Sequence, residues 1–89
     1  LMNPTVIVEV LSDSTEGYDR GTKFRLYSNI SSLQEYVLVS QKERVVEVFR
    51  RNEQQRWELF VFAENENVEL ASVECTLIMD EIYEGVEND

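Results

Sequence analysis

Two charged residues, Glu9 and Lys23, are the side chains of this sequence that are most suited to catalysis. Glu9 interrupts an apolar run at residues 4–11, and apolar residues on both alternating faces are typical of a central strand covered on two sides. An ionised carboxylate in such a strand costs several kcal/mol unless a cation or a set of donors receives it. Lys23, in the helix expected next, supplies such a cation. A strand carboxylate that faces a helix lysine is a candidate active site.

Four polar residues around this pair are candidates for supporting it. Ser12 and Thr15 lie in the polar turn after the strand, where a hydroxyl can reach the strand carboxylate, a metal or the helix end. Both are also common helix-capping residues. Asp19 and Tyr27 stand four residues before and after Lys23, so all three share one helix face and the outer two can orient the ammonium. An ordinary surface pair of Asp19 with Lys23, and a core position for Tyr27, are the alternatives.

The elements that position these residues follow from the hydrophobic pattern. The strand at residues 4–11, a helix at 16–30 and a second two-sided apolar strand at 33–40 predict a βαβ unit with parallel strands. Beyond residue 41 apolar and polar residues alternate, which predicts antiparallel hairpins. The later strands are expected at 45–51, 56–62 and 68–71, with a short strand or a helical turn at 77–83. The predicted fold class is α/β, a mixed α+β sheet with one principal helix.

The first strand begins close to residue 1, although its two-sided apolar pattern requires neighbouring strands on both flanks. The chain also starts with Leu instead of an initiator Met. We therefore expect residues 1–89 to form a single domain that is the C-terminal part of a longer one, with the N-terminal part of the fold missing. Exposed strand edges in such a chain favour pairing with another copy, so a homo-oligomer is expected.

Composition limits the chemistry. Cys75 is the only cysteine and the chain has no histidine, which excludes an internal disulfide, a histidine-based triad and a conventional zinc site. Any metal would be a hard cation held by oxygen, such as Mg²⁺ or Mn²⁺. No apolar run approaches the roughly 18 residues that span a membrane, and no signal peptide is visible. No membrane association is expected, and the expected location is cytoplasmic.

Charge is distributed unevenly along the chain. The net charge is −10, yet residues 1–62 carry nine acids and eight bases, whereas residues 63–89 carry nine acids and no base. The acidic C-terminal third is either a solvated surface or an electrostatic guard over a basic partner. Asp80, Glu81 and Glu84 in it are interpreted as a solvated acidic turn. Arg50 and Arg51, at the end of a strand, are expected to face solvent, with phosphate contact as the alternative.

Three stretches of the sequence closely resemble one bacterial protein family. They are residues 4–15, PTVIVEVLSDST, residues 18–27, YDRGTKFRLY, and residues 33–39, LQEYVLV. The similarity continues through Trp57 to residues 80–86 and so covers nearly the whole chain. The family is that of the restriction-endonuclease-like proteins, once filed as a domain of unknown function and placed in the PD-(D/E)XK nuclease superfamily.

The resemblance implies an endonuclease that hydrolyses DNA phosphodiester bonds with the help of Mg²⁺ or Mn²⁺. In that superfamily two acids hold the ion, and a lysine assists the attacking water or the developing phosphate charge. Glu9 matches the strand acid. The usual lysine lies two residues further along, where this chain has Leu11, so the resemblance implies that Lys23 replaces it from the helix. The first acid of the superfamily, on an earlier strand, matches nothing in this sequence.

A second class of function stays open beside the enzyme. The competing hypothesis is a catalytically inactive nuclease-fold module that is used for dimerisation or partner binding. A Pro-Asp pair on a preceding strand would favour the enzyme, and its absence would favour the module.

Overall fold

The computed structural model describes residues 3–12, 17 and 19–87, apart from the side chains of Asp19, Arg20 and Glu87. Along the chain the structure contains the following elements: strand β1 (Val6–Val10), a π-helical turn (Asp19–Lys23) that continues as helix α1 (Phe24–Tyr27), strands β2 (Glu35–Val39), β3 (Val46–Arg51), β4 (Trp57–Phe62) and β5 (Val68–Leu70), a 3₁₀ turn (Ala71–Val73), strand β6 (Cys75–Leu77) and helix α2 (Met79–Glu87).

The strands β1 to β4 form one mixed sheet in chain order. β1 pairs with β2 in parallel, and β2–β3 and β3–β4 are antiparallel pairs. β5 and β6 form a separate antiparallel ribbon. The long connection through α1 allows the first pair to be parallel, whereas the short connections that follow produce hairpins. The predicted βαβ unit followed by antiparallel strands, and the mixed α+β class, are confirmed.

The two faces of the four-stranded sheet pack against different parts of the chain. The α1 face is the one that α1 covers, through contacts of Phe24 and Tyr27 with a small apolar cluster. The strand residues packed there are Ile7, Tyr36, Leu38 and Phe49, together with Leu11, which directly follows β1. The α2 face is covered by α2 and the β5–β6 ribbon, and it holds the larger core cluster. That cluster contains Val37, Val39, Val46, Val48, Val68, Leu70, Met79 and Tyr83.

β1 is not the covered central strand that its sequence predicts. Val8 and Val10, on its α2 face, are 51% and 44% exposed, and among the described strands β1 lies at one edge of the sheet. All five residues of β2, by contrast, are buried. An apolar pattern on both faces reports the character of the side chains, but which face is covered depends on distant segments of the chain. The two-sided pattern was therefore a correct guide for β2 and a wrong one for β1.

The principal helix ends earlier than predicted. Helical backbone extends to Tyr27, not to residue 30, while most of residues 13–18 lies outside the described part of the chain. Ser28 Oγ and Asn29 Nδ2 both donate hydrogen bonds to the carbonyl of Arg25, at 3.0 and 3.1 Å. Such side-chain bonds to the backbone compete with further helical turns, which accounts for the early end.

The C-terminal segment is more helical than predicted. Residues 77–83 were expected to be a short strand or a single turn, but β6 ends at Leu77 and α2 occupies Met79–Glu87. Asp80 and Glu81 lie in the first turn of α2, where carboxylates interact favourably with the positive end of the helix dipole. The predicted acidic turn was therefore wrong in its secondary structure, because these residues form a helix. No described helix is long and apolar enough to cross a membrane.

Candidate active site

Three side chains converge on the α1 face near the carboxyl end of β1. Lys23 Nζ donates to Glu9 Oε2 at 3.3 Å, and the Tyr27 hydroxyl donates to Glu9 Oε1 at 3.3 Å. Glu9 lies beside Leu38 of β2 in the parallel register, one residue before the end of the strand. The structure therefore brings together the strand acid and the two helix residues that the sequence placed four residues apart.

Packing of the helix explains this convergence. Residues four apart occupy neighbouring positions on one side of a helix, so Lys23 and Tyr27 reach the same carboxylate from successive turns. Phe24 fixes the helix on the sheet: its ring lies 5.7 Å from that of Tyr36 and 4.8 Å from that of Phe49. The π-helical turn ends at Lys23, and turns of this kind occur frequently at functional sites.

The contacts of Glu9 are long and its surroundings are partly open. Bonds to a carboxylate are commonly about 2.7–2.9 Å long from an ammonium and about 2.5–2.7 Å from a hydroxyl, so both contacts at 3.3 Å are loose. The side chains of Lys23 and Glu9 are 27% and 22% exposed. Solvent screens such a pair, which limits its contribution to stability. The carboxylate can accept a further ligand without first losing a tight internal partner.

The described residues do not by themselves form a metal site. They contain no group of three or more His, Cys, Asp or Glu side chains that could hold an ion. Mg²⁺ commonly binds through one or two carboxylates, with water and substrate phosphate completing its shell. Glu9 fits the role of one such carboxylate, because its side chain is partly exposed and its two partners donate hydrogen bonds that fix its orientation.

The other predicted site residues are described only in part. Ser12 is half-buried and follows β1 by two residues, at the carboxyl end of the parallel pair. Thr15 lies outside the described residues. The backbone of Asp19 begins the π-helical turn, but its side chain is outside the description. The predicted roles of Ser12, Thr15 and Asp19 therefore stay predictions.

A second strand carboxylate, Glu35, was missed by the sequence reasoning. It begins β2, is fully buried, and its side chain belongs to the α2 face. Arg50 Nε donates to Glu35 Oε2 at 2.8 Å, while the Ser72 N–H at 2.9 Å and the Ser72 hydroxyl donate to Oε1. Burial raises the pKa of Glu35, but the hydrogen bonds from Ser72 and Arg50 together outweigh it and lower that pKa below 4.5. The same signal that singled out Glu9, an acid within an apolar strand, could have found it.

Arg50 and Arg51 were expected to face solvent, and this was wrong. Besides its ion pair with the buried carboxylate, Arg50 donates to the carbonyl of Glu69 at 2.8 Å. Arg51 donates to the carbonyls of Ser28 and Ile30, both at 3.1 Å. Each guanidinium also lies over an aromatic ring of β4. Both arginines therefore connect β3 to neighbouring segments of the fold.

A comparison of the whole chain with known protein families shows to which family it belongs. Residues 2–80 match the model of the family described as "Uma2: Putative restriction endonuclease". The chain belongs to the Uma2 family. This match covers β1, α1 and the remaining strands, so it includes Glu9, Lys23 and Tyr27. The sequence resemblance to restriction-endonuclease-like proteins is thereby confirmed.

Two relatives of this Uma2 chain come from Synechocystis sp. strain PCC 6803. The uncharacterized protein slr1290 is 40% identical over 83 residues, which are 93% of this chain and 44% of the relative. The uncharacterized protein sll1609 is 39% identical over 70 residues, 78% of this chain and 40% of the relative. The chain thus spans less than half the length of the curated relatives that it matches.

The fold is similar to that of a solved protein, a putative nuclease belonging to DUF820 from Anabaena variabilis ATCC 29413. The TM-score is 0.72 at 21% sequence identity, and the match covers 97% of this chain and 47% of the other. Identity at this level establishes the shared fold alone. The fold of this Uma2 chain is therefore nuclease-like.

Proposed function

We propose that this protein is an endonuclease that hydrolyses phosphodiester bonds of DNA and depends on Mg²⁺ or Mn²⁺. The observation that carries the proposal is the meeting of Glu9, Lys23 and Tyr27 at the carboxyl end of a parallel strand pair. Open α/β sheets bind their ligands at such strand ends. The membership of a family described as restriction endonucleases supports the assignment of DNA as the substrate.

Glu9 is the proposed metal ligand of this site. A bound divalent cation would supply Lewis-acid polarisation of the phosphate and a water of lowered pKa. The partly exposed carboxylate provides one oxygen ligand, and the Tyr27 hydroxyl holds its other oxygen in place. Hydrogen-bond donors behind a metal-binding carboxylate fix its orientation in this way.

Lys23 is the proposed electrostatic catalyst. In the structure its ammonium neutralises Glu9. Its flexible four-carbon stem would let the ammonium rotate towards a phosphate if Glu9 were holding a divalent cation. A positive charge already positioned beside the phosphate stabilises the negative charge that develops in the transition state. The helix supplies this charge because the strand position two residues after Glu9 is occupied by Leu11, which is buried.

Substitution of the two charged residues tests the proposal. We expect Glu9→Gln and Lys23→Ala each to reduce Mg²⁺- or Mn²⁺-dependent cleavage of a supercoiled plasmid by roughly 100-fold or more. Glu81→Gln is the matched control, because it removes an exposed carboxylate of α2 on the other side of the sheet and should leave cleavage unchanged. Circular dichroism of each variant checks that the fold is retained. Normal cleavage by either site variant would remove that residue from the mechanism.

An inactive nuclease-fold module is the alternative, and one observation favours it. The described residues contain no group of three or more His, Cys, Asp or Glu side chains that could hold an ion, and Lys23 neutralises the charge of Glu9. Absence of cleavage by the intact wild-type protein with either metal would favour this module.

The same proposal has two further parts. Residues 1–89 self-associate, and they are the C-terminal part of a longer nuclease-like domain. Among the described strands β1 and β4 form the two edges of the sheet, and unpaired edges favour association. Sedimentation of the protein at micromolar concentration distinguishes a dimer from a monomer.

A further inference from the structure

The outer edge of β4 lies next to exposed apolar side chains. Among the described strands, β4 has no neighbour on the side away from β3. Leu59 and Val61, on the α1 face of this strand, are 49% and 55% exposed. They follow each other along one face and so form an apolar strip beside the edge. An open edge with apolar side chains is a template for pairing with another strand.

The backbone of the same two residues points away from β3. The N–H of Asn52 donates to the carbonyl of Arg56 at 2.7 Å, which directs the backbone of Arg56 towards β3. Successive residues of an antiparallel strand direct their N–H and C=O groups to alternate sides. The outward-facing donors and acceptors of β4 therefore belong to Trp57, Leu59 and Val61. The residues with exposed apolar side chains thus also present the hydrogen-bonding groups that a further strand needs.

A second copy of the chain fits this edge in one register. Two β4 strands that pair antiparallel about a two-fold axis at Phe60 set Leu59 opposite Val61 of the partner subunit. The same register sets Arg56 opposite Glu64 of the partner subunit, and both residues are exposed. The two-fold symmetry repeats each contact. Cross-strand pairs of apolar residues and of opposite charges stabilise a sheet, so this register joins both kinds of favourable pair.

The neighbouring registers lack this match. An axis between two residues is excluded, because it would pair side chains from opposite faces. An axis at Val61 sets Glu58 opposite Glu64 of the partner subunit, and like charges directly opposite each other are destabilising. An axis at Leu59 sets Arg56 opposite an apolar residue and loses the pair of opposite charges. Charge therefore selects the register centred on Phe60.

The other edge of the sheet, β1, is less suited to pairing with its own copy. It also exposes two apolar residues, Val8 and Val10, at 51% and 44%. The register that sets Val8 opposite Val10 of the partner subunit has its axis at Glu9, which places two carboxylates directly opposite each other. In β4 the residue on the corresponding axis is the uncharged Phe60. The residue at the centre therefore favours β4 over β1 as the edge that pairs.

We propose that two copies of this protein pair antiparallel through β4, with the two-fold axis at Phe60, and so join their four-stranded sheets into one. This interface rests on the self-association proposed above, and it adds which edge pairs and in which register. Paired residues of the two β4 strands share a face of the joined sheet. The α1 faces of both copies, and with them both candidate active sites, therefore lie on the same side of the dimer.

The oligomeric state of the intact protein tests this interface. Sedimentation velocity over a dilution series measures the dimer dissociation constant in about 0.15 M salt, which screens the repulsion between two copies of net charge −10. We expect Val61→Lys to raise that constant at least roughly tenfold, because a charged lysine at a strand edge blocks pairing. Val8→Lys, at a similarly exposed position of the other edge, should associate like the wild type. Circular dichroism checks that each variant is folded.

A charge exchange tests the register. Arg56→Glu should raise the dissociation constant roughly several-fold, because it sets two carboxylates opposite each other at both ends of the interface. Addition of Glu64→Arg to the same chain should restore wild-type association, since the opposite charges then face each other in reverse. Both positions are exposed in the single copy, so a loss of fold would not produce this rescue.

The results separate this interface from the other proposals. A wild type that stays monomeric at the highest concentration would overturn the interface together with the proposed self-association. A dimer that survives Val61→Lys, or that Val8→Lys dissociates, would overturn pairing through β4 and leave self-association standing. Unchanged association in Arg56→Glu, or no rescue in the double variant, would overturn the register centred on Phe60. Loss and rescue as expected would support the interface whether or not the wild type cleaves DNA, because association is measured without substrate or metal.

Discussion

Glu9 and Glu35 are carboxylates on neighbouring parallel strands, and the pleat of the sheet turns them to opposite faces. Glu35 is 0% exposed, and every hydrogen bond that it accepts is at most 2.9 Å long. Glu9 is 22% exposed in its side chain and accepts two bonds of 3.3 Å. Both acids interrupt an apolar strand, so sequence alone treats them alike. Burial and bond length distinguish Glu35, whose carboxylate binds other parts of the fold, from Glu9, whose carboxylate can bind a ligand.

The environment of Glu35 shows what full burial of a charge requires. Its two oxygens receive donors from β3 and from the 3₁₀ turn that joins β5 to β6, through Arg50 and Ser72. A buried charge is tolerated only when it is paired and hydrogen-bonded in this way. The carboxylate therefore connects the β5–β6 ribbon to the four-stranded sheet. Glu9 does not need such a complete set of partners, because its side chain is partly exposed to solvent.

Truncation of the two acids should give the largest difference between them. We expect Glu35→Ala to lower the free energy of unfolding by about 3–5 kcal/mol, because it leaves the Arg50 charge and the Ser72 donors without their partner. Glu9→Ala should lower it by less than about 1 kcal/mol, since its ion pair is exposed to solvent. Urea denaturation followed by circular dichroism measures both values. Equal losses in the two variants would show that Glu35 contributes no more to stability than Glu9.

Acid should weaken the Glu35 contacts, with a smaller effect than truncation because the protonated group still forms hydrogen bonds. The pKa of Glu35 is lowered in the folded protein, so its contribution to stability is complete above the ordinary value of 4.5. It is lost as the pH falls below 4.5 through the folded-state pKa.

The comparison of wild type with Glu35→Gln at a series of pH values isolates this effect, since all other acids are common to both. We expect the stability advantage of the wild type over the variant to shrink as the pH falls below 4.5. An advantage that stays constant down to strongly acidic pH would show that ionisation of Glu35 does not stabilise the fold.

The smallest expected effect concerns the hydroxyl of Tyr27, which binds the more open carboxylate. Tyr27→Phe removes one long hydrogen bond to Glu9 and keeps the ring that packs edge to face on Tyr36 at 5.6 Å. We expect stability to change little and the Mg²⁺ concentration for half-maximal cleavage to rise roughly tenfold. An unchanged Mg²⁺ requirement would mean that Tyr27 serves only as a packing residue.

Much of the fold and the central contact of the candidate site follow from local sequence patterns. Two apolar strands separated by a helical stretch predict a parallel pair, and alternation beyond residue 41 predicts the hairpins. The four-residue spacing of Lys23 and Tyr27 places both on one helix face, and Glu9 stands on the strand beneath it. These features are predictable because periodicity and spacing act within one element or between adjacent ones.

Only the tertiary structure decided which of the apolar and charged residues are covered. Val8 and Val10 are exposed, and Glu35 is buried, although nothing in their local sequences separates them from their neighbours. Ser72 reaches Glu35 from 37 residues away along the chain. Burial, and with it the cost and the role of a charge, depends on such distant segments. The sequence by itself therefore determined where carboxylates interrupt strands, and the packing of remote elements decided which one is left open to a ligand.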